Sequence, residues 1–317
     1  MRSVLFAFVR LVVLMSFVVF GVPSTGGEGV GVCLRVGDIY RIRDNIYVPV
    51  FMSPQTKFEY EVGFRGNNCY EMDTVLLPGF YVRIDEVFEN GIIRVTATRD
   101  NSYSISGYIH RKFIVADMVH CAHARFESLY SPPTVPEIDE VIAEISKILS
   151  KRSEYCYGGN SPQEVSLDGL YEFRQISSGG AFKKFRCRGF DALGLIHYLS
   201  NGYLPHKTSD IITFGKCICV IDPKHELTNG KMNDMINKLR DTDLVIIVPG
   251  DRDRLDLWKA LVFYKFGFVE SKGPNLGIVR THPSELEAKM TQMVQRAKSI
   301  SGKIYFIRWH PDLLKSK

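Results

Sequence analysis

The sequence predicts an α+β protein in which a small all-β barrel is followed by a helix packed on an antiparallel sheet. Three observations predict it. Residues 33–120 are rich in β-branched and aromatic residues in period-two stretches, broken by Gly, Asn, Asp and Pro. A proline-rich break, SPPTVP from Ser131 to Pro136, follows, and neither a helix nor a central strand accommodates it. Residues 152–317 then read loop, helix, strands, helix and strand, an order that belongs to α+β architectures.

In the first region IYVPVF, FEYEVGF, GFYVRIDEVF, GIIRVTATR and GYIHRKFIV each read as a strand. Turn residues separate them: Pro54, Gly66-Asn67-Asn68, Pro78-Gly79, Asn90-Gly91 and Asp100-Asn101. Short strands at regular spacing indicate a small barrel or sandwich. Residues 131–151 form a linker and a connecting helix. EIDEVIAEISKILSKR puts Val141, Ile142, Ile145, Ile148 and Leu149 on one face. Its first turn is acidic and its last is basic, as the helix dipole prefers.

In the second region FRCRGFDALGLIHYLSNGYLP reads as a cysteine, Cys187, opening a buried helix that closes in a Gly-Tyr-Leu-Pro turn. FGKCICVID, DLVIIVPG, ALVFYKFGFVES and LGIVRT are predicted strands. SELEAKMTQMVQRAKSI is a predicted helix and KIYFIRW a closing strand.

Composition narrows the function classes. With 45% hydrophobic and 24% charged residues the chain is globular. A net charge of +5 without a clustered basic patch argues against nucleic acid as partner. Arg2, an apolar run from Val4 to Val22 broken by Arg10, and the small residues of Pro23–Gly27 read as a secretory signal over residues 1–26. The uninterrupted stretch Leu11–Val22 is short for a membrane span, so the mature chain is expected to have none, although an uncleaved anchor is the other reading. Cleavage removes Arg2 and Arg10 and lowers the net charge from +5 to +3. The expected location is outside the cytosol, in the periplasm or cell envelope.

Seven cysteines remain in an exported chain that can oxidise them. The odd count leaves at least one thiol free, and Cys187 as that thiol leaves six for up to three disulfides. A cysteine at a helix N-terminus has a lowered pKa, and the free N–H groups there can hold the oxyanion formed when a thiolate attacks a carbonyl. Gly189 would admit a close approach by substrate or another chain.

The stretches YCYGGNSP, FRCRGFDALGLIHYLSNGYLPHKTS, DLVIIVPG, FVESKGPNLGIVRT and FIRWHPDLL resemble the NlpC superfamily of papain-like cell-wall cysteine peptidases, over residues 152–317. That family carries Tyr-x-Trp-Gly-Gly, then a Cys-Ser-Gly helix closed by Leu-Pro-Arg-x-Ser, a Gly-Asp-Leu strand and a His-Val-x-Ile strand bearing the base. Members cleave amide bonds in peptidoglycan stem peptides, and many carry bacterial SH3-like domains. PVFMSPQTKFEYEV, LLPGFYVRIDEVFENGIIRV and GYIHRKFI resemble the hairpin, central pair and closing strand of such a domain, over residues 33–120.

The resemblance implies a papain-like NlpC domain behind an SH3-like barrel, with no cofactor and with peptidoglycan or its stem peptides as partner. It puts Cys187 on the nucleophile and Tyr155 beside it. Tyr157, Gly158, Gly159, Arg188, Pro205 and Ser209 fall at the substrate. Asp243-Leu244 fall on the strand before the base. The histidine position falls on Trp258 or Lys259. A free lysine near pKa 10.4 stays protonated and is a poor proton shuttle. His282 is therefore the candidate base, with His225 behind it. The functional expectations are a cysteine peptidase, a non-catalytic binding protein that kept the fold and, third, a lipid- or amide-modifying acyltransferase, which uses the same dyad in related folds.

Other patterns are weaker. His120-x-x-His123 with Cys121 lacks a fourth metal ligand, and Cys217-x-Cys219 shares one strand face. DRDRLD lacks the glycine and closing glutamate of a calcium loop. GEGVG, Gly27–Gly31, follows no strand and reads as a tail. His197 lies in an apolar helix and reads as a core residue.

Overall fold

The structure is a computed structural model. It describes residues 33–63, 66–98, 103–122, 125, 134–176, 185–206, 211–223, 234–251 and 259–315. The predicted signal over 1–26, the Gly27–Gly31 tail, His123, Ser209, His225, Trp258 and most of DRDRLD lie outside them. Among the described residues no helix is long and apolar enough to cross a membrane.

The chain is α+β, with helices and largely antiparallel sheets. In chain order the first strands are β1 (Ile39–Ile42), β2 (Val48–Phe51), β3 (Lys57–Gly63), β4 (Gly66–Asn68), β5 (Met72–Leu76), β6 (Tyr81–Val87), β7 (Ile92–Thr98) and β8 (Ile105–His110). Helix α1 (Arg111–Asp117) and β9 (Met118–His120) follow. A seven-stranded sheet runs β5-β2-β8-β7-β6-β1-β9, antiparallel throughout. Its core holds Ile42, Val50, Phe51, Met72, Phe80, Ile84, Val95 and Ile109. The alternation of Tyr81–Val87, with Val82 and Ile84 inward, is the expected signature of a sheet with one face in the core.

One predicted strand is corrected here. RKFIV of GYIHRKFIV is helical, because the His110 side chain accepts from the Lys112 amide and caps α1, while Phe113 and Ile114 turn inward.

Helix α2 (Ile138–Ser150) forms as its periodicity predicts, burying Val141, Ile145 and Ile148. A capping box between Glu137 and Glu140 starts it. Four short strands then occupy a stretch read mostly as loop: β10 (Tyr155–Cys156), β11 (Asn160–Val165), β12 (Glu172–Gln175) and β13 (Cys187–Phe190). β10 pairs with β4 and β12 with β3, both parallel. Cys156, Leu167, Tyr171, Phe185 and Cys187 thereby join the core of the seven-stranded sheet. Helix α3 (Ala192–Leu199) follows β13.

The remaining elements are β14 (Lys216–Ile221), β15 (Leu244–Val248), β16 (Lys259–Tyr264), β17 (Gly267–Ser271), β18 (Ile278–Arg280), α4 (Leu286–Ser299), β19 (Lys303–Arg308) and α5 (Pro311–Lys315). A six-stranded antiparallel sheet runs β14-β19-β15-β16-β17-β18. ALVFYKFGFVES, predicted as one strand, is the β16–β17 hairpin, turned at Lys265 and Phe266, which both have positive φ. Every residue of β15 is buried. Leu244, Ile246 and Val248 face α2 and α3, while Val245 and Ile247 face Met290 and Met293 of α4. Coverage on both faces is why this strand reads as a continuous apolar run rather than an alternating one. The layers are helix, sheet, helix.

Candidate functional site

Helix α3 begins after Asp191, not at Cys187. The Asp191 carboxylate accepts from the Leu193 amide at 3.0 Å and the Gly194 amide at 2.6 Å, a side-chain N-cap. Its other oxygen accepts from the Gly158 amide at 2.9 Å, and His206 Nε2 lies 3.4 Å from Oδ1. The first residue of the helix is Ala192, followed by Leu193 and Gly194. A Cβ on Gly194 would stand 1.9 Å from the carbonyl oxygen of Gly159. Glycine is therefore required where α3 packs on the Gly158-Gly159 turn.

Cys187 is instead the first residue of β13, paired with Val165 across the β11–β13 ladder. It is 1% exposed. Its Sγ lies 3.7 Å from Met72 Sδ. Its thiol also hydrogen-bonds the buried Cys156, whose pKa that bond and burial push well up. The helix start read from the sequence is corrected accordingly: α3 begins at Ala192, and Cys187 belongs to the strand before it. The close approach expected at Gly189 is real, but the chain's own Glu154 carbonyl makes it, 2.4 Å from a built Cβ.

A cleft of about 1160 Å³ lies in front of α3. Asp191, Ala192 and Leu193 line it, as do Tyr155, Tyr157 and His206. Met52, Met72 and Asp73 line it from the seven-stranded sheet. Lys259, Lys272, Lys289 and Arg296 line it from the six-stranded sheet and α4. Of the residues predicted at the site, Tyr155 and Tyr157 reach the cleft. Burial, and then the Asp191 charge, push the Tyr155 phenol above its usual range, so it stays a hydrogen-bond donor. The Tyr157 ring stands edge-on to Tyr70 at 5.3 Å.

The other predicted site residues that the structure describes do not line the cleft. Gly158 (φ +65°) and Gly159 shape the turn beneath Asp191, where a Cβ on Gly158 would meet the Met72 carbonyl at 2.5 Å. Arg188 is half-buried in β13, and Pro205 is buried in the turn that closes α3. His282 is exposed and accepts from the Ser284 amide as a cap of the short 3-10 turn Pro283–Glu285. His197 is a core residue, its Nδ1 2.7 Å from the Leu204 carbonyl. Asp243 is buried against Arg308 in a two-point ion pair of 3.0 and 2.7 Å, a structural role.

The residue missed from the sequence is Glu270. It is fully buried on β17. Lys259 Nζ lies 2.7 Å from its Oε2, Lys272 Nζ 3.6 Å from its Oε1, and Lys289 also contacts Oε1. Burial alone would raise this carboxyl, but the ammoniums of Lys259 and Lys289 reverse that and hold its pKa below the ordinary value. Burial and the neighbouring lysines draw Lys289 down, against the opposing pull of Glu270. Among the described residues no group of three or more His, Cys, Asp or Glu is placed to hold a metal ion.

Chemically, the arrangement presents an alanine methyl at the head of α3, helix amides occupied by Asp191, and a lysine-carboxylate cluster opposite.

No family model and no curated protein sequence matches the chain. Among solved structures it is similar to NlpC2 from Trichomonas vaginalis, at 10% identity and a TM-score of 0.27, over 80% of this chain and 94% of that one. It is also similar to NlpC1 from Trichomonas vaginalis, at 10% identity and a TM-score of 0.23, over 84% of this chain and 94% of that one. Likenesses of this size decide neither the fold family nor the activity.

Proposed function

We propose that this chain is an exported recognition protein, built as an SH3-like barrel followed by an NlpC-like domain whose peptidase centre has been lost. Its cleft binds peptide of the peptidoglycan type without cleaving it. The observation that carries this reading is Ala192 at the first position of α3, facing a cleft that also holds Lys259. The resemblance expects a cysteine opening this helix and a histidine at Trp258 or Lys259, whereas α3 opens with Ala192 and the described one of those two positions is a lysine. Removing either partner of such a unit removes most of the rate. The aromatic and cationic lining that remains suits binding.

Support for export comes from the pattern of residues 1–26. Support for a wall peptide as ligand comes from the resemblance and from the size of the cleft, about 1160 Å³. The peptidase reading would require Cys187 to leave its strand ladder and the Met72 contact.

The test incubates the mature chain and its Cys187→Ala variant with peptidoglycan and a soluble stem peptide. Fragments are read by mass spectrometry and polymer binding by co-sedimentation. Binding by both without fragments is the expected result. Fragments from the wild type that disappear in Cys187→Ala would overturn the proposal.

A further inference from the structure

The cluster around Glu270 has more positive charge than its carboxylate can neutralise. Lys259 opens β16, Lys272 follows β17 and Lys289 belongs to α4, so three elements deliver ammoniums to one buried carboxylate. Among the described residues, Glu270 is the only carboxylate within ion-pair distance of any of the three. A single carboxylate offsets one ammonium. The remaining like charges repel in a partly buried place, where screening by water is weak. Lys289 is 8% exposed, so its charge is largely removed from solvent.

All three lysines line the cleft, and Arg296 of α4 lines it too. Met52, Met72, Tyr155 and Tyr157 line it as well and supply apolar and aromatic surface. Charge surplus and apolar wall therefore occur in one cavity. An arriving oxyanion would supply the missing counter-charge and take charge-assisted hydrogen bonds from lysines already held in position.

We infer that the cleft binds the oxyanion of its ligand, a carboxylate or a phosphate, through Lys259, Lys272 and Lys289, with Glu270 holding the three ammoniums in place. The inference rests on the recognition reading above and specifies the chemistry of its ligand. Glu270 has a structural part here: it sets the spacing of the ammoniums and limits how much charge the ligand must bring.

The test titrates the full mature chain with inorganic phosphate and, separately, with succinate. Binding is followed by calorimetry at constant ionic strength. Saturable binding of at least one probe is expected, and the tighter one identifies the source of the oxyanion. Lys272→Gln, at a partly exposed position and checked for folding by circular dichroism, should weaken it about tenfold or more. Lys303→Gln removes a similarly exposed lysine, paired with Asp222, and should leave it unchanged.

Absence of saturation with both probes overturns the inference, as does equal loss in Lys303→Gln. If Lys272→Gln binds the probes like the wild type, the inference also fails. Polymer binding that persists without any oxyanion binding sinks this inference and leaves the recognition reading standing. Oxyanion binding that depends on Lys272, without polymer binding, sinks the peptidoglycan partner and keeps the oxyanion site.

Discussion

Lys259 Nζ stands 2.7 Å from Glu270 Oε2, tying the first residue of β16 to a fully buried carboxylate on β17. The pair belongs to a hairpin whose strands register through Val262↔Val269 and Phe263↔Phe268. It is thus held by the sheet, and Lys289 closes it from the α4 side.

The first prediction concerns pH. Glu270 titrates below its ordinary value because Lys259 and Lys289 outweigh its burial. A carboxyl with a depressed folded pKa contributes stability above its unfolded pKa and loses it as pH falls through the folded one. Glu270→Gln should cost about 3 kcal/mol at pH 7, since it strands buried ammoniums. The difference from wild type should shrink once the pH falls below the ordinary glutamate value of about 4.3. Urea unfolding of both proteins at pH 7 and in acid measures it. A pH-independent gap would remove the ion pair as its cause.

Thiol reactivity separates the two cysteine assignments. Cys187 is buried, burial pushes Cys69 up to about 12, and its bond to Cys187 and its burial also raise Cys156. Iodoacetamide should label exposed Cys217 in the native chain and spare Cys69, Cys156 and Cys187 until denaturant is added. Ala192→Cys should create a thiol that reacts faster than Cys217, because a helix N-terminus favours thiolate. Peptide mapping after timed alkylation reads both outcomes, and native labelling of Cys187 ahead of Cys217 would contradict its burial.

Asp191 holds three backbone amides, those of Gly158, Leu193 and Gly194. Asp191→Ala should destabilise by about 2 kcal/mol, at the upper end for a lost cap. Asp191→Asn keeps an accepting oxygen and should cost less than half of that. Equal losses in the two variants would show that the charge, rather than the cap, matters.

Glycine 194 should be harder to replace than Gly169. A Cβ at Gly194 meets a backbone oxygen at 1.9 Å, whereas nothing lies within 4 Å of one at Gly169. Gly194→Ala should cost about 3 kcal/mol through forced movement of the Gly159 turn. Gly169→Ala should cost about 1 kcal/mol, from its φ of +70° alone. Thermal unfolding of the two variants ranks them, and a milder loss at Gly194 would mean that the turn yields.

The start of the helix at the candidate site was written in local sequence and was placed a few residues too early. Asp191 is an N-cap residue type directly ahead of an apolar helical run, so the start of α3 was available from the sequence. The conspicuous cysteine in the preceding strand drew the helix start to itself. α2, α4 and the strands β14, β15 and β19 were legible because amphipathic period and apolar runs are local properties. α1 was not, since RKFIV suits a strand as well as a helix until the His110 cap decides.

By itself the sequence determined the α+β class, the two long amphipathic helices and the aromatic stretch that supplies Tyr155 and Tyr157. Tertiary structure alone decided that Cys187 is buried against Met72, and that Lys259, Lys272 and Lys289 share Glu270. Periodicity reports which face of one element is apolar. Which charges converge depends on sheet register and on a helix that returns to the sheet after β18, and neither is a local property of the chain.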